Sequence, residues 1–145
     1  MINAFQEIFH RDLDKLKREI ESYSSEKQLW SIQDGISNSA GNLCLHLIGN
    51  LTHFIGKELG GNEYVRNREL EFSQKNIPAA DLLQQIDATK NIVGEALSKL
   101  TNADLEKPYP VIVFEREMST QFFLLHLATH LSYHLGQINY HRRLI

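Results

Sequence analysis

Four of the chain's seven histidines lie in the C-terminal run FLLHLATHLSYHLGQINYH, at positions 126, 130, 134 and 141. In a helix turning about 100° per residue, His126, His130 and His134 span roughly 80°, and His141 points into the same sector beside Leu127, Leu131 and Ile138. The stripe therefore faces other helices or their rim. Each imidazole carries a donor and an acceptor, so burying such a row without partners is costly. A metal ion relieves much of that cost. His130 and His134, at i and i+4, can present nitrogens to one ion at about 2.0–2.1 Å, and His46, from a facing helix, is the natural third ligand.

Three neutral imidazoles leave a coordination position for water or a substrate atom, which makes Lewis-acid chemistry accessible. The spacing His130-x-x-x-His134 is that of zinc proteases, but Leu131 stands where those enzymes carry a general-base Glu, which argues against peptide hydrolysis by that route. An isolated HxxxH pair is weak evidence, more often histidines satisfied by backbone and water than metal ligands. His126 and His53 read as hydrogen-bonding or packing neighbours of the ligands, His141 as an exposed helix-end residue, and His10 as a surface residue.

The elements that must hold these residues are helical. Phe5, Ile8, Phe9, Leu13, Leu16 and Ile20 mark an amphipathic first helix. Polar residues 21–39 follow, with Trp30 and Ile32 pinning a connection to the core. A second helix starts at Ser39 as N-cap, carries Leu43, His46, Leu47, Leu51, His53, Phe54 and Ile55, and stops at Gly60-Gly61. Residues 62–77, with Arg66, Arg68, Glu69 and Glu71, read as a solvated, ion-paired connection that could alternatively cover a site.

A third helix follows Pro78 and ends near Thr101-Asn102, with Glu95 and Lys99 paired on its exposed side. Tyr109 to Phe114 is β-branched and aromatic, which predicts a short extended segment that would need a partner, such as a second subunit. The fourth helix begins at Ser119 or Thr120 and runs to the end. The expectation is one all-α domain over residues 1–145, a four-helix bundle with a short extended segment before the last helix.

Composition narrows the function classes. The length of 145 residues suits one domain with its own core. A net charge of −3, with Lys and Arg scattered among acids, argues against a nucleic-acid partner. The single cysteine, Cys44, sits between Leu43 and Leu45 and reads as a buried, reduced thiol. No stretch is long and apolar enough for a membrane span and the first residues do not resemble a signal peptide, so a cytoplasmic protein is expected.

The segments SAGNLCLHLIGNLTHFIGKELGG and HLATHLSYHLGQINYHRRL resemble the DinB-like superfamily. YVRNRELEF and HLGQINYHRR point to its DUF1572 (DfsB-like) branch. The resemblance implies a four-helix bundle with a long connection, commonly a homodimer, and a zinc or nickel ion held by His46, His130 and His134. Some relatives are thiol S-transferases that use the metal to generate a thiolate nucleophile. Carried over, a small-molecule thiol and an electrophile would meet between the second and fourth helices, with Arg66 and Arg68 available for a carboxylate of the thiol. Tyr133 and Gln137, beside the histidines, are assigned to helix packing.

Two functions follow from these residues. One is a metal-dependent enzyme, a thiol S-transferase or small-molecule hydrolase, with no catalytic residue assigned because Glu58, Glu69 and Glu117 are general-base candidates by sequence proximity alone. The other is a noncatalytic dimeric bundle in which a structural metal fastens two helices for binding or stress-related interaction. A fourth protein ligand such as His126 would favour the fastener, and an open three-histidine site the enzyme.

Overall fold

The computed structural model describes residues 1–145 and is all-helical. Helix α1 spans Ile2–Glu21, α2 Glu26–Leu29, α3 Ala40–Leu51, α4 Arg68–Ser73, α5 Ala79–Ser98, α6 Asn102–Glu106 and α7 Thr120–Leu144. The four long helices match the sequence periodicity closely, and Ser39 and Ser119 cap α3 and α7 by accepting from the N–H groups of Asn42 and Phe122. No helix is long and apolar enough to cross a membrane.

The apolar stripe of α1, Phe5, Phe9, Leu13, Leu16 and Ile20, is buried against α5 and α7. Helix α3 lies in the middle: every residue from Ala40 to Leu51 is buried. Its polar side chains Asn42, His46 and Asn50 are therefore cut off from water, and those with partners find them in other elements. Trp30 serves as the expected packing anchor. Its indole lies against Gly41, where an added Cβ would stand 2.6 Å from ring atoms, and its Nε1–H donates to the Ile77 carbonyl.

Beyond Leu51 the second long helix continues in π-helical form over Thr52–Lys57. Glu58 N–H bonds the His53 carbonyl and Gly60 N–H the Ile55 carbonyl, each a five-residue step. That register shift passes over the Phe54 carbonyl, which instead accepts from the Tyr109 hydroxyl at 2.6 Å. Gly61, at φ +76°, ends the helix where the sequence predicts a stop.

The extended arm expected at Tyr109–Phe114 does not form a strand. The chain doubles back on itself through one antiparallel bridge, Pro108 with Ser119, flanked by bonds from Tyr109 N–H to the Met118 carbonyl and Thr120 N–H to the Lys107 carbonyl. Pro110 has no N–H to extend the ladder. Tyr109 is buried, Val111 and Val113 lean on the core, and Ile112 and Phe114 stay exposed. The Glu95–Lys99 pair is also absent, because Lys99 Nζ reaches the Gly60 carbonyl.

The last turns of α7 are tied to α1. Glu19 accepts from Arg142 and Asn139, each at 2.7 Å. His141, expected at an exposed helix end, is instead 5% exposed. Its Nε2–H donates to the Ser31 carbonyl at 2.9 Å, and its Nδ1 accepts from the Tyr23 hydroxyl at 2.7 Å. The helix extends far enough to carry this ring past the solvent-facing end and under the residue 21–31 connection. Tyr23→Phe strands that nitrogen, and urea unfolding should show a loss of about 1–3 kcal/mol.

Candidate metal centre

Helices α3 and α7 bring His46, His130 and His134 together, with one ligand atom from each within 4.8 Å of the others. The Nε2 atoms of His46 and His134 lie 3.2 and 3.1 Å from His130 Nε2. Two atoms 2.0–2.1 Å from one ion are about 2.9 Å apart at a right angle and about 3.3 Å apart at a tetrahedral angle. Both observed distances fall inside that interval.

The far side of each ring fixes which nitrogen is bare. His46 Nδ1 is 3.0 Å from Glu71 Oε1, and a carboxylate can only accept, so His46 carries its proton on Nδ1. His134 Nδ1 is 2.7 Å from Gln137 Oε1 and donates in the same way. Two bare Nε2 atoms therefore face the third ring. His130 has one proton when neutral: on Nε2 it serves only one neighbour, and on Nδ1 it leaves three lone pairs converging. His130 Nδ1 is buried without a partner.

Burial, and then the neighbouring His134 and His46, push the His130 imidazole down to about 3, so protonation does not relieve the crowding. Burial also lowers His134. Three imidazoles with their Nε2 atoms turned toward one another are a donor set that suits a divalent ion, and these residues could hold one.

Glu71, read from the sequence as part of a solvated connection, is 6% exposed. Besides His46 it takes two bonds from Arg66, through Nε and Nη2, both at 2.8 Å. Burial alone would raise its carboxyl, but the bonds from His46 and Arg66 outweigh that and hold it below the ordinary range. Helix α4 is fastened over α3 by Asn42 Nδ2, which donates to the Glu71 and Gln74 carbonyls, each at 2.9 Å. Phe72 packs on the His46 ring with centroids 5.0 Å apart. A Cβ at residue 49 would stand 2.0 Å from Glu71 Oε2, so only Gly49 admits the carboxylate. A glycine inside an apolar helix next to His46 was the available sequence signal for this approach.

The other sequence candidates take different places. His126 does not join the cluster: its ring stacks on Phe123 and meets Phe114 edge-on. His53 packs on Phe54 and lies 3.9 Å from Glu58, while Glu69 and Glu117 are exposed. His10 is exposed as expected. Arg66 is committed to Glu71, whereas Arg68 is exposed with its guanidinium over Phe72. Cys44 is fully buried, and burial pushes its thiol up to about 12.

Tyr133 and Gln137 are not packing residues, because both are exposed. They line a cavity of about 470 Å³ that also reaches His134.

A family model described as a protein of unknown function, DUF1572, matches residues 1–145, and the chain belongs to that family. Comparison with curated proteins gives no match.

A group whose folded-state pKa lies below its unfolded value destabilises the fold as pH falls between the two. The His130 shift to about 3, from an unfolded value near 6.5, therefore makes the metal-free protein lose stability as pH is lowered through that window. Proton NMR of the metal-free protein should show the His130 ring still neutral at about pH 5.

Proposed function

We propose that this DUF1572 protein is a metal-dependent enzyme in which His46, His130 and His134 hold one zinc or nickel ion, and that it joins a small-molecule thiol to an electrophile. The approach of the His46 and His134 Nε2 atoms to 3.2 and 3.1 Å from His130 Nε2, with protons fixed on the outer nitrogens of those two rings, carries this reading. Imidazole donors suit either metal. When bound, such an ion supplies Lewis acidity toward a thiol or water. The packing of α1, α3, α5 and α7, with the long connection before α5, supports a single-domain four-helix bundle of the DinB-like type.

The chain's own residues favour thiol transfer over hydrolysis. Activating water calls for a base, and Glu71, the carboxylate bonded to a triad ring, is occupied by His46 and Arg66. A thiol ionises far more easily and makes less demand on a base. Cys44 is fully buried, so the reacting sulfur comes from a bound small molecule. Glu71 orients His46, and Arg66 keeps that carboxylate charged. Arg68 is the free cation for a carboxylate of the thiol. With His126 engaged by Phe123 and Phe114, the cluster lacks the fourth protein ligand typical of a structural fastener. The exposed Ile112 and Phe114 of the segment before α7 and Phe122 and Leu125 in its first turns support a homodimer, and a cytoplasmic location agrees with the single buried thiol.

Elemental analysis of untagged protein should find near-stoichiometric zinc or nickel, lost in His46→Ala, His130→Ala and His134→Ala with the fold retained. The loaded protein should accelerate addition of a low-molecular-weight thiol to an electrophile. Wild-type protein that takes up neither metal overturns the reading. Separately, Glu71→Gln should weaken metal binding by about 10- to 100-fold in competition with a chromophoric chelator.

A further inference from the structure

The cavity beside the triad is shared by His134, Gln137, Tyr133, Tyr140, Leu43 and Leu144, and no Lys, Arg, Asp or Glu side chain lines it. Its volume, about 470 Å³, is that of a small-molecule site. Ser37, Asn38 and His141 also line it, and the polar groups of His134, Gln137 and Tyr133 form an ordered chain along α7. His134 Nδ1 bonds Gln137 Oε1 at 2.7 Å, and Gln137 Nε2 donates to the Tyr133 hydroxyl oxygen at 3.3 Å.

Each link sets the next. If His134 offers Nε2 to an ion, its proton sits on Nδ1 and donates to Gln137 Oε1. The amide nitrogen of Gln137 then turns to Tyr133, whose oxygen accepts. The phenolic proton is left over, and no acceptor within the protein takes it. Tyr133 is 64% exposed, so burial against the core does not account for its place.

We infer that this cavity binds an uncharged small molecule with a planar apolar body and an oxygen acceptor, the oxygen receiving the Tyr133 hydroxyl proton and the body resting on Tyr140 and Leu144. The inference rests on the metal reading above, because the ion fixes the His134 tautomer. It assigns the substrate class of the electrophile. A lining without Lys, Arg, Asp or Glu offers an ionic ligand no partner, the Arg143 guanidinium being held over the Tyr140 ring 4.7 Å from its centroid, while aromatic and aliphatic side chains favour a flat apolar one. Tyr133 supplies the directional contact beside the triad, and Gln137 is a positioning residue that orients it.

The test titrates acetophenone, a planar ring with one carbonyl acceptor, and ethylbenzene, the same ring without it, into zinc-loaded protein. NMR shifts of the Gln137 side-chain amide and the Tyr140 ring report binding, and elemental analysis of the same samples reports zinc. Acetophenone should bind more tightly than ethylbenzene. Tyr133→Phe, with zinc retained, should weaken acetophenone by about three- to tenfold and leave ethylbenzene unchanged. Zinc-loaded protein in which neither ligand shifts these resonances, or in which Tyr133→Phe affects both alike or neither, overturns the assignment and leaves the metal reading intact. Protein that takes up no zinc overturns both.

Discussion

Three imidazole nitrogens turned toward one another with too few protons between them set the terms for the rest of this molecule. The one proton of a neutral His130 can satisfy only one of the two Nε2 atoms that stand 3.1–3.2 Å from its own. Burial keeps His130 from taking a second proton. The surrounding chain holds the arrangement anyway: α3 is enclosed on every side, α7 is tied down at its far end by Glu19, Tyr23 and Ser31, and α4 presses a carboxylate onto His46. An arrangement held this firmly supports the proposed cation among the three rings.

The network behind His46 explains why a polar connection is packed so tightly. Glu71 would be costly to bury alone, and Arg66 would be costly beside it without the carboxylate. Together with His46 they are mutually satisfied, and Gly49 gives them room. The YVRNRELEF segment thus serves the site through Arg66, Glu71 and Phe72, one residue orienting the next. On the opposite side, Gln137 does the same for His134 and passes the consequence to Tyr133.

Much of this was legible from the residues alone. The four long helices and their caps followed from periodicity, and the three histidines meet because His130 and His134 share a face of α7 that packs on α3 at His46. Glu71 was not legible, because its burial arises from a tertiary approach to Gly49, and charge in a polar run ordinarily signals solvent. His141 was misplaced for a related reason: rotation about the helix axis fixes its direction, but only the path of residues 21–31 decides that its end of α7 is covered. The Tyr109–Phe114 arm failed as a strand because β-propensity needs a neighbouring strand, and the nearest backbone was its own return. Tyr133 looked like a packing residue until the exposed side of α7 was defined.

Crystals of the protein soaked in zinc, with anomalous scattering recorded at the zinc edge, test the central claim most directly. The account predicts one peak about 2.0–2.1 Å from the Nε2 atoms of His46, His130 and His134, with Glu71 still on His46 Nδ1. A zinc-soaked crystal with no peak at this position, or with the ion bound through Glu71 and the outer nitrogens, contradicts it.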